Sequence, residues 1–366
     1  MITIIGAGPS GSYSAYLLAK KGLEVQVFEE HNIIGEPVSS TGIITGLLAK
    51  HFKVPEELIV SKPENARIYS PAGDFFEVKL KNDMVLDRAR LDRHLAKMAQ
   101  EAGAKYFLGQ RFVDCQREKD KFRIKLFDKA TGKIREIVTD QLVGADGPLS
   151  RVAKSAGLYG NRVFYTGLQA TVDVENDGFI EFYLNGKDIA WLVPENKNTA
   201  RVGIAASSRA DLFFREFLEK RIGKDFETKV LARQSGLIPV YNPKIKTEDR
   251  AVYLVGDAAT MEKATTLGGI NQGMIGAMAL AEAISSGKNY DKLWRKKMGK
   301  ELYLALLIRK AMNKFSDEDY NKLIALMNKH KNKKLLEAYE RDAPSKFIFK
   351  MAMQEPGLWA FVKYLF

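Results

Sequence analysis

The hydrophobic pattern opens with a short β-branched run, Ile2–Ile5, that breaks at a glycine cluster. Apolar positions then recur at helical spacing over residues 12–20, with Tyr13, Tyr16, Leu17 and Leu18 on the repeat. Gly22 stops that helix, and residues 23–28 read as a second strand ending at Glu29 and Glu30. The chain therefore begins with a βαβ unit. Further on, residues 66–69 and 75–80 form a hairpin pattern around Pro71-Ala72-Gly73-Asp74, followed by a helix over 90–102 that Gly103 closes. Residues 112–127 and 134–139 read as a second hairpin, and Gln141–Gly144 as a strand. Residues 162–241 are strand-rich, 251–255 make a buried strand ended by Gly256-Asp257, and 272–285 are helical. After Lys288 everything reads as basic amphipathic helices, with no internal repeat or low-complexity tract.

This order predicts an α/β protein: a Rossmann-type dinucleotide-binding domain, a mixed-sheet second domain and a C-terminal helical region. The expected boundaries are 1–60, 85–158 and 245–290 for the first, 61–84 and 159–244 for the second, and 291–366 for the third. With 366 residues, 46% of them hydrophobic, the chain can bury a large core and is not disordered. The single Cys115 excludes an intrachain disulfide framework, a thiolate zinc cluster and a Cys-x-x-Cys redox pair; no metal is expected. Apolar runs stay well short of the ~20 residues that span a bilayer, and no export signal opens the chain, so a cytoplasmic location is expected. Net charge is +12, and residues 291–366 carry 17 Lys and Arg against 9 Asp and Glu. That excess suits a polyanion such as nucleic acid, an anionic membrane surface or an acidic redox protein, or simply a solvated face. No nucleic-acid recognition motif accompanies it, and no nucleic-acid partner is expected.

Gly6, Gly8 and Gly11, with Ser10 among them, sit between the first strand and helix. One glycine permits the turn, one lets a pyrophosphate approach the backbone, and one lets helix and strand pack closely. The helix N-terminus adds free N–H donors for phosphate. Glu29, at the end of the next strand and 18 residues after Gly11, suits the ribose hydroxyls of NAD or FAD and repels a 2′-phosphate. Glu30 lies beside it.

Later segments choose between the two. Gly144-Ala145-Asp146-Gly147-Pro148-Leu149-Ser150-Arg151 resembles the Asp-Gly motif of the p-hydroxybenzoate hydroxylase superfamily of flavoproteins, and Leu254-Val255-Gly256-Asp257-Ala258-Ala259 its Gly-Asp motif. The resemblance implies FAD as cofactor, with Asp257 on the ribitol chain and Arg88 near the pyrophosphate. Gly268, Gly269 and Ile270, ahead of a helix, match the segment facing the N1/C2 carbonyl edge of the flavin. The usual pattern there is Pro-x-Thr-Gly-Gly-Gly-Ile, where this chain has Ala264-Thr265-Thr266-Leu267-Gly268-Gly269-Ile270.

Within the superfamily the chain is most similar to the archaeal geranylgeranyl reductases. Trp191-Leu192-Val193-Pro194, followed after eight residues by Gly203-Ile204, resembles their substrate motif, with Ile189, Val193 and Ala205 departing from it. Residues 165–172 resemble the first strand of their substrate domain, and Gly35-Glu36-Pro37-Val38-Ser39-Ser40-Thr41-Gly42 a loop in which Ser40 stands where the family carries cysteine. A hydroxyl cannot do the work of a thiolate there. The resemblance implies a reductase that saturates isoprenoid lipid chains by hydride transfer from reduced FAD, in an apolar tunnel walled by residues such as Phe182, Tyr183 and Trp191. Ser40 is a weak relay candidate, and His31, His51, His94 and His330 show no motif. No second dinucleotide unit is visible, so the electron donor is expected to be a ferredoxin or a transiently bound NAD(P)H. Aromatics interleaved with lysines near the C-terminus, Trp294, Tyr303, Phe347, Phe349, Trp359 and Phe361, suit peripheral membrane contact as well as a helix-bundle core. The alternatives are an aromatic or quinone monooxygenase and a basic nucleic-acid-associated flavoprotein.

Overall fold

A computed structural model describes residues 1–365. Its first sheet has six strands in the order Glu248–Asp249, Val252–Leu254, Gln141–Gly144, Ile2–Ile5, Val25–Phe28, Lys105–Phe107. All pair in parallel except the edge strand Glu248–Asp249. All four residues of Ile2–Ile5 are buried, as a strand covered on both faces requires. The helices Pro9–Ala19, Arg88–Glu101 and Ile270–Ser286 pack together beside it. All three begin earlier than the apolar spacing suggests, at Pro9, Arg88 and Ile270 against 12, 90 and 272. Proline is accepted at a first helical position, so the glycine turn itself becomes the first turn of Pro9–Ala19. The Asp87 side chain caps Arg88–Glu101 by accepting from the Arg90 N–H at 3.0 Å.

The expected strand over 112–127 is two strands, Gln110–Glu118 and Lys121–Asp128, which form a three-stranded antiparallel meander with Lys133–Thr139. The polar run between them carries the turn, with Lys119 at φ +56°.

A second sheet has seven strands in the order Val230–Pro239, Phe164–Asp173, Thr199–Ala206, Asp188–Asn196, Ile180–Asn185, Asn65–Tyr69, Phe75–Lys79. It is mixed because Ile180–Asn185 runs parallel to Asn65–Tyr69 while the other pairs are antiparallel. The helix Ala210–Ile222 covers one face through Phe214, Phe217 and Leu218.

The C-terminal quarter, expected as one region from residue 291, divides between the two halves. Tyr290–Trp294 continues through a π-helical turn, Arg295–Gly299, into Lys300–Met312, and Trp294, Leu302 and Leu306 belong to the core of the first half. Ile324, Leu335, Met351 and Phe361 instead pack on Phe76 of the edge strand Phe75–Lys79. Glu337 accepts the Lys79 N–H at 3.2 Å, so this segment covers a sheet edge that would otherwise present free backbone groups. Among the described residues no helix is long and apolar enough to cross a membrane.

Candidate active site

One cavity of about 840 Å³ runs from the first glycine turn to the inner face of the seven-stranded sheet. At its first end the three glycines meet three demands. Gly6 has φ +101°, and a side chain there would strike the Ala145 backbone. A Cβ on Gly11 would collide with the Gly6 carbonyl oxygen, whereas nothing lies within 4 Å of the Cβ position on Gly8, which opens to the cavity. The helix Pro9–Ala19 has no side-chain N-cap, so its first N–H groups are available to an anion. Glu29 is buried at the end of its strand. Its Oε2 accepts the Ala7 N–H at 2.7 Å, and its Oε1 lies 3.0 Å from the His31 N–H and 2.6 Å from His31 Nδ1. Oε2 keeps a lone pair for a ribose hydroxyl. His31, which shows no motif in the sequence, is thus part of the site's support. Glu30 also lines the cavity, 3.8 Å from Lys129 Nζ.

Midway, Arg88 donates to Ser40 Oγ and to Asp92, 3.1 Å away, while its Nε has no partner. Asp146, expected at the cofactor, lines the cavity, and both of its oxygens are engaged locally. They accept from Ser150 Oγ at 2.5 Å and from the N–H groups of Arg151 and Val152 at 2.7 and 3.0 Å. Asp146 therefore holds the start of the Arg151–Ser155 helix and leaves Gly147, at φ +75°, facing the cavity. Gly256 touches no ligand space; its φ of +66° and a contact with Ser10 leave no room for a side chain. Asp257 lines the cavity, its carboxyl pushed up by burial and held back by a hydrogen bond from Glu262. Gly268, Gly269 and Ile270 line it too, at the uncapped start of Ile270–Ser286.

The sequence reading missed Glu262, Lys263 and Asp342, which also border the cavity. Buried Lys263 pairs with Asp342, whose other oxygen accepts from Thr45 Oγ1 at 2.7 Å and Asn271 Nδ2 at 2.8 Å. The Lys263 ammonium and nearby Arg341 hold the Asp342 carboxyl well below the usual range despite its burial. The available signal was two adjacent charges in an otherwise small and apolar stretch.

At the far end, strand register aligns Phe182, Trp191, Gly203, Gln169 and Gln234 as one row across the sheet. Gly203 is where the Trp191 ring lies, since a Cβ there would sit 2.6 Å from it. Gln169 Oε1 accepts from Trp191 Nε1 at 3.0 Å and Thr41 Oγ1 at 2.8 Å, and Gln169 Nε2 donates to Gln234 at 2.8 Å. Ile238, on the same face as Gln234 and against Gly167, adds apolar wall. Two expected wall residues do not reach it. Tyr183 follows Phe182 in a strand, so its side chain takes the other face, where it stacks on Tyr69 at 4.5 Å. Pro194 is buried, its carbonyl accepting from Ser61 Oγ at 2.6 Å.

These groups fit FAD: an open glycine turn with free N–H donors for pyrophosphate, an unpartnered guanidinium Nε on Arg88, acceptors at Glu29 and Asp257, and an uncapped helix start beyond them.

Comparison with known proteins agrees. The chain matches a family model for an FAD binding domain over residues 76–289 and one for an NAD(P)-binding Rossmann-like domain over residues 4–52. It is 31% identical to the digeranylgeranylglycerophospholipid reductase of Methanothrix thermoacetophila, covering 88% of this chain and 90% of that one. It is 30% identical to the protein of the same name from Methanosarcina acetivorans, covering 88% and 87%. A crystal structure of a geranylgeranyl bacteriochlorophyll reductase-like protein from Thermoplasma acidophilum shares the fold, with a TM-score of 0.87 over 99% of this chain and 98% of that one at 23% identity.

Proposed function

The chain belongs to the digeranylgeranylglycerophospholipid reductase family of FAD-dependent oxidoreductases, and on that premise we propose that it saturates carbon–carbon double bonds in the geranylgeranyl chains of isoprenoid membrane lipids. The observation that carries this reading is the continuity of one cavity, from a phosphate-binding turn at Gly8 to an aromatic wall at Phe182 and Trp191.

Reduced FAD supplies the hydride when bound. The glycine turn and Arg88 hold its pyrophosphate, Glu29 the adenosine ribose and Asp257 the ribitol. An isolated alkene has no carbonyl for an oxyanion hole to stabilise, so the protein's part is to position the chain and exclude water. Phe182, Trp191 and Ile238 supply that wall, and the Gln169 hydrogen bond keeps the indole from turning. Ser40, bound to Arg88, has a hydroxyl and no thiolate chemistry to contribute.

The lipid is met at the membrane surface. Phe349, Met353 and Trp359 are 69, 63 and 55% exposed on a C-terminal segment that also carries Lys346, Lys350 and Lys363. Electrons come from a reduced ferredoxin or NAD(P)H.

The test is direct. FAD-loaded protein reduced with dithionite should add two hydrogens per double bond to digeranylgeranylglyceryl phospholipid, read by mass spectrometry. Flavin-bearing protein that leaves the lipid unsaturated but consumes oxygen with a phenolic substrate overturns the reading in favour of a monooxygenase.

A further inference from the structure

The chemistry derived above leaves one buried acid without a task. Glu262 is 5% exposed, borders the cavity, and has a carboxyl oxygen, Oε2, with no hydrogen-bond partner. It lies against Gly269, where a Cβ would collide with it, at the start of a helix that no side chain caps. The same carboxyl meets Asp257 across the turn. Two buried carboxyl groups in contact resist ionising together, so near neutrality they share a proton, which also gives the orphaned oxygen a role. Burial and the Asp257 charge push Glu262 well above the usual carboxyl range.

The cations facing the pair are already engaged. Arg88 binds Asp92, and Arg162 donates to the carbonyl oxygens of Asp257 and Ala258 at 3.3 and 2.8 Å. Lys263, next in the chain, turns to Asp342 with Arg341 beyond it. The helix start offers roughly half a positive charge. That is too little to neutralise two carboxylates together with the negative charge that arrives on a reduced flavin.

We propose that Glu262 and Asp257 share one proton beside the FAD and that Glu262 is the residue through which flavin reduction in this chain is linked to pH. The proposal rests on the FAD reading of the site. In alkaline solution, where the pair has lost its proton before reduction, two electrons from the donor enter the flavin and one solvent proton forms an O–H bond on Glu262, leaving hydroxide behind. That uptake is additional to protons bound by the flavin itself. Glu262 is a charge-setting residue here; the hydride and its acceptor are untouched by it.

The experiment is the flavin reduction potential of the FAD-loaded protein as a function of pH, for the wild type and Glu262→Gln. Protons taken up per two electrons should rise by one across an alkaline interval in the wild type. Glu262→Gln should abolish that extra proton while keeping its FAD and the low-pH behaviour. A wild type with no extra proton, or a Gln variant that retains it, overturns the proposal. If the variant loses FAD, the wild type decides through its infrared difference spectrum: reduction within the interval must raise a carboxylic-acid C=O band, and its absence overturns the proposal. Failure of the underlying readings looks different. The site reading fails if the purified chain takes up no FAD, and the lipid reading fails if a normally reducible flavin leaves the lipid unchanged.

Discussion

Gly8 and Gly11 share a turn but are constrained by different things, one by a ligand and the other by the fold. Gly8 has ordinary extended backbone, φ −67° and ψ −178°, and empty space beside it, so Gly8→Ala should melt within a few degrees of wild type. It should retain FAD about ten-fold more weakly, because the added methyl stands where phosphate approaches the backbone. Gly11→Ala has the opposite profile: overpacking against the Gly6 carbonyl should cost about 1–3 kcal/mol of stability. Thermal melts and FAD fluorescence titrations of both variants check the distinction, and equal losses of stability would refute it. The glycine roles were readable in the sequence because a steric demand selects one residue type. Tyr183 was misread because strand alternation was not applied to it: Phe182 and its neighbour cannot both face the cavity. Gln169 lay within a quoted substrate strand, but its bonds to Thr41, Trp191 and Gln234 depend on register, which residue type alone does not reveal.

At the scale of elements, the βαβ unit, the long helices and the strand-rich middle were all visible as changes of hydrophobic period. Boundaries were less so, because caps such as Asp87 and Asp146 extend or anchor helices beyond their apolar residues. The contact that joins elements was invisible. Asp342 meets Lys263 across 79 residues and Thr45 across 297. Asp342→Ala should leave that ammonium buried and unpaired, at a cost of about 3–5 kcal/mol in chemical denaturation. The double variant Lys263→Met/Asp342→Leu should recover most of it, because an apolar pair needs no compensation. A double variant as unstable as the single one would mean that the network is held by something other than this pair.

Across the whole molecule, the sequence motifs supplied the two-half plan, since each glycine or aspartate signature marks a strand end that faces the cavity. They could not reveal where the last fifty residues pack, because helical amphipathicity gives a face but names no partner. Ile324, Leu335, Met351 and Phe361 of that stretch pack on the edge strand Phe75–Lys79 and leave Phe349 and Met353, four apart on the helix Ile348–Gln354, directed outward. The variant Phe349→Ser/Met353→Ser/Trp359→Ser should co-sediment with anionic phospholipid vesicles at least ten-fold more weakly, since each buried side chain contributes about 1.5–3 kcal/mol. Its FAD content should match wild type, and residual binding should fall with salt as the lysines are screened. Unchanged sedimentation would move the membrane contact elsewhere.

The carboxylate at position 342 also sets an order of events during synthesis. It reaches back to Thr45 and to Asn271, at the start of the helix that borders the flavin site. A nascent chain still threaded through the ribosome at that point has its Rossmann half outside but the wall of its cofactor chamber unfinished. A chain that stops short of Asp342 is therefore expected to bind FAD more weakly than the longer one, because Thr45 and Asn271 lose the acceptor that fixes them, and a flavin fluorescence titration of the two checks it.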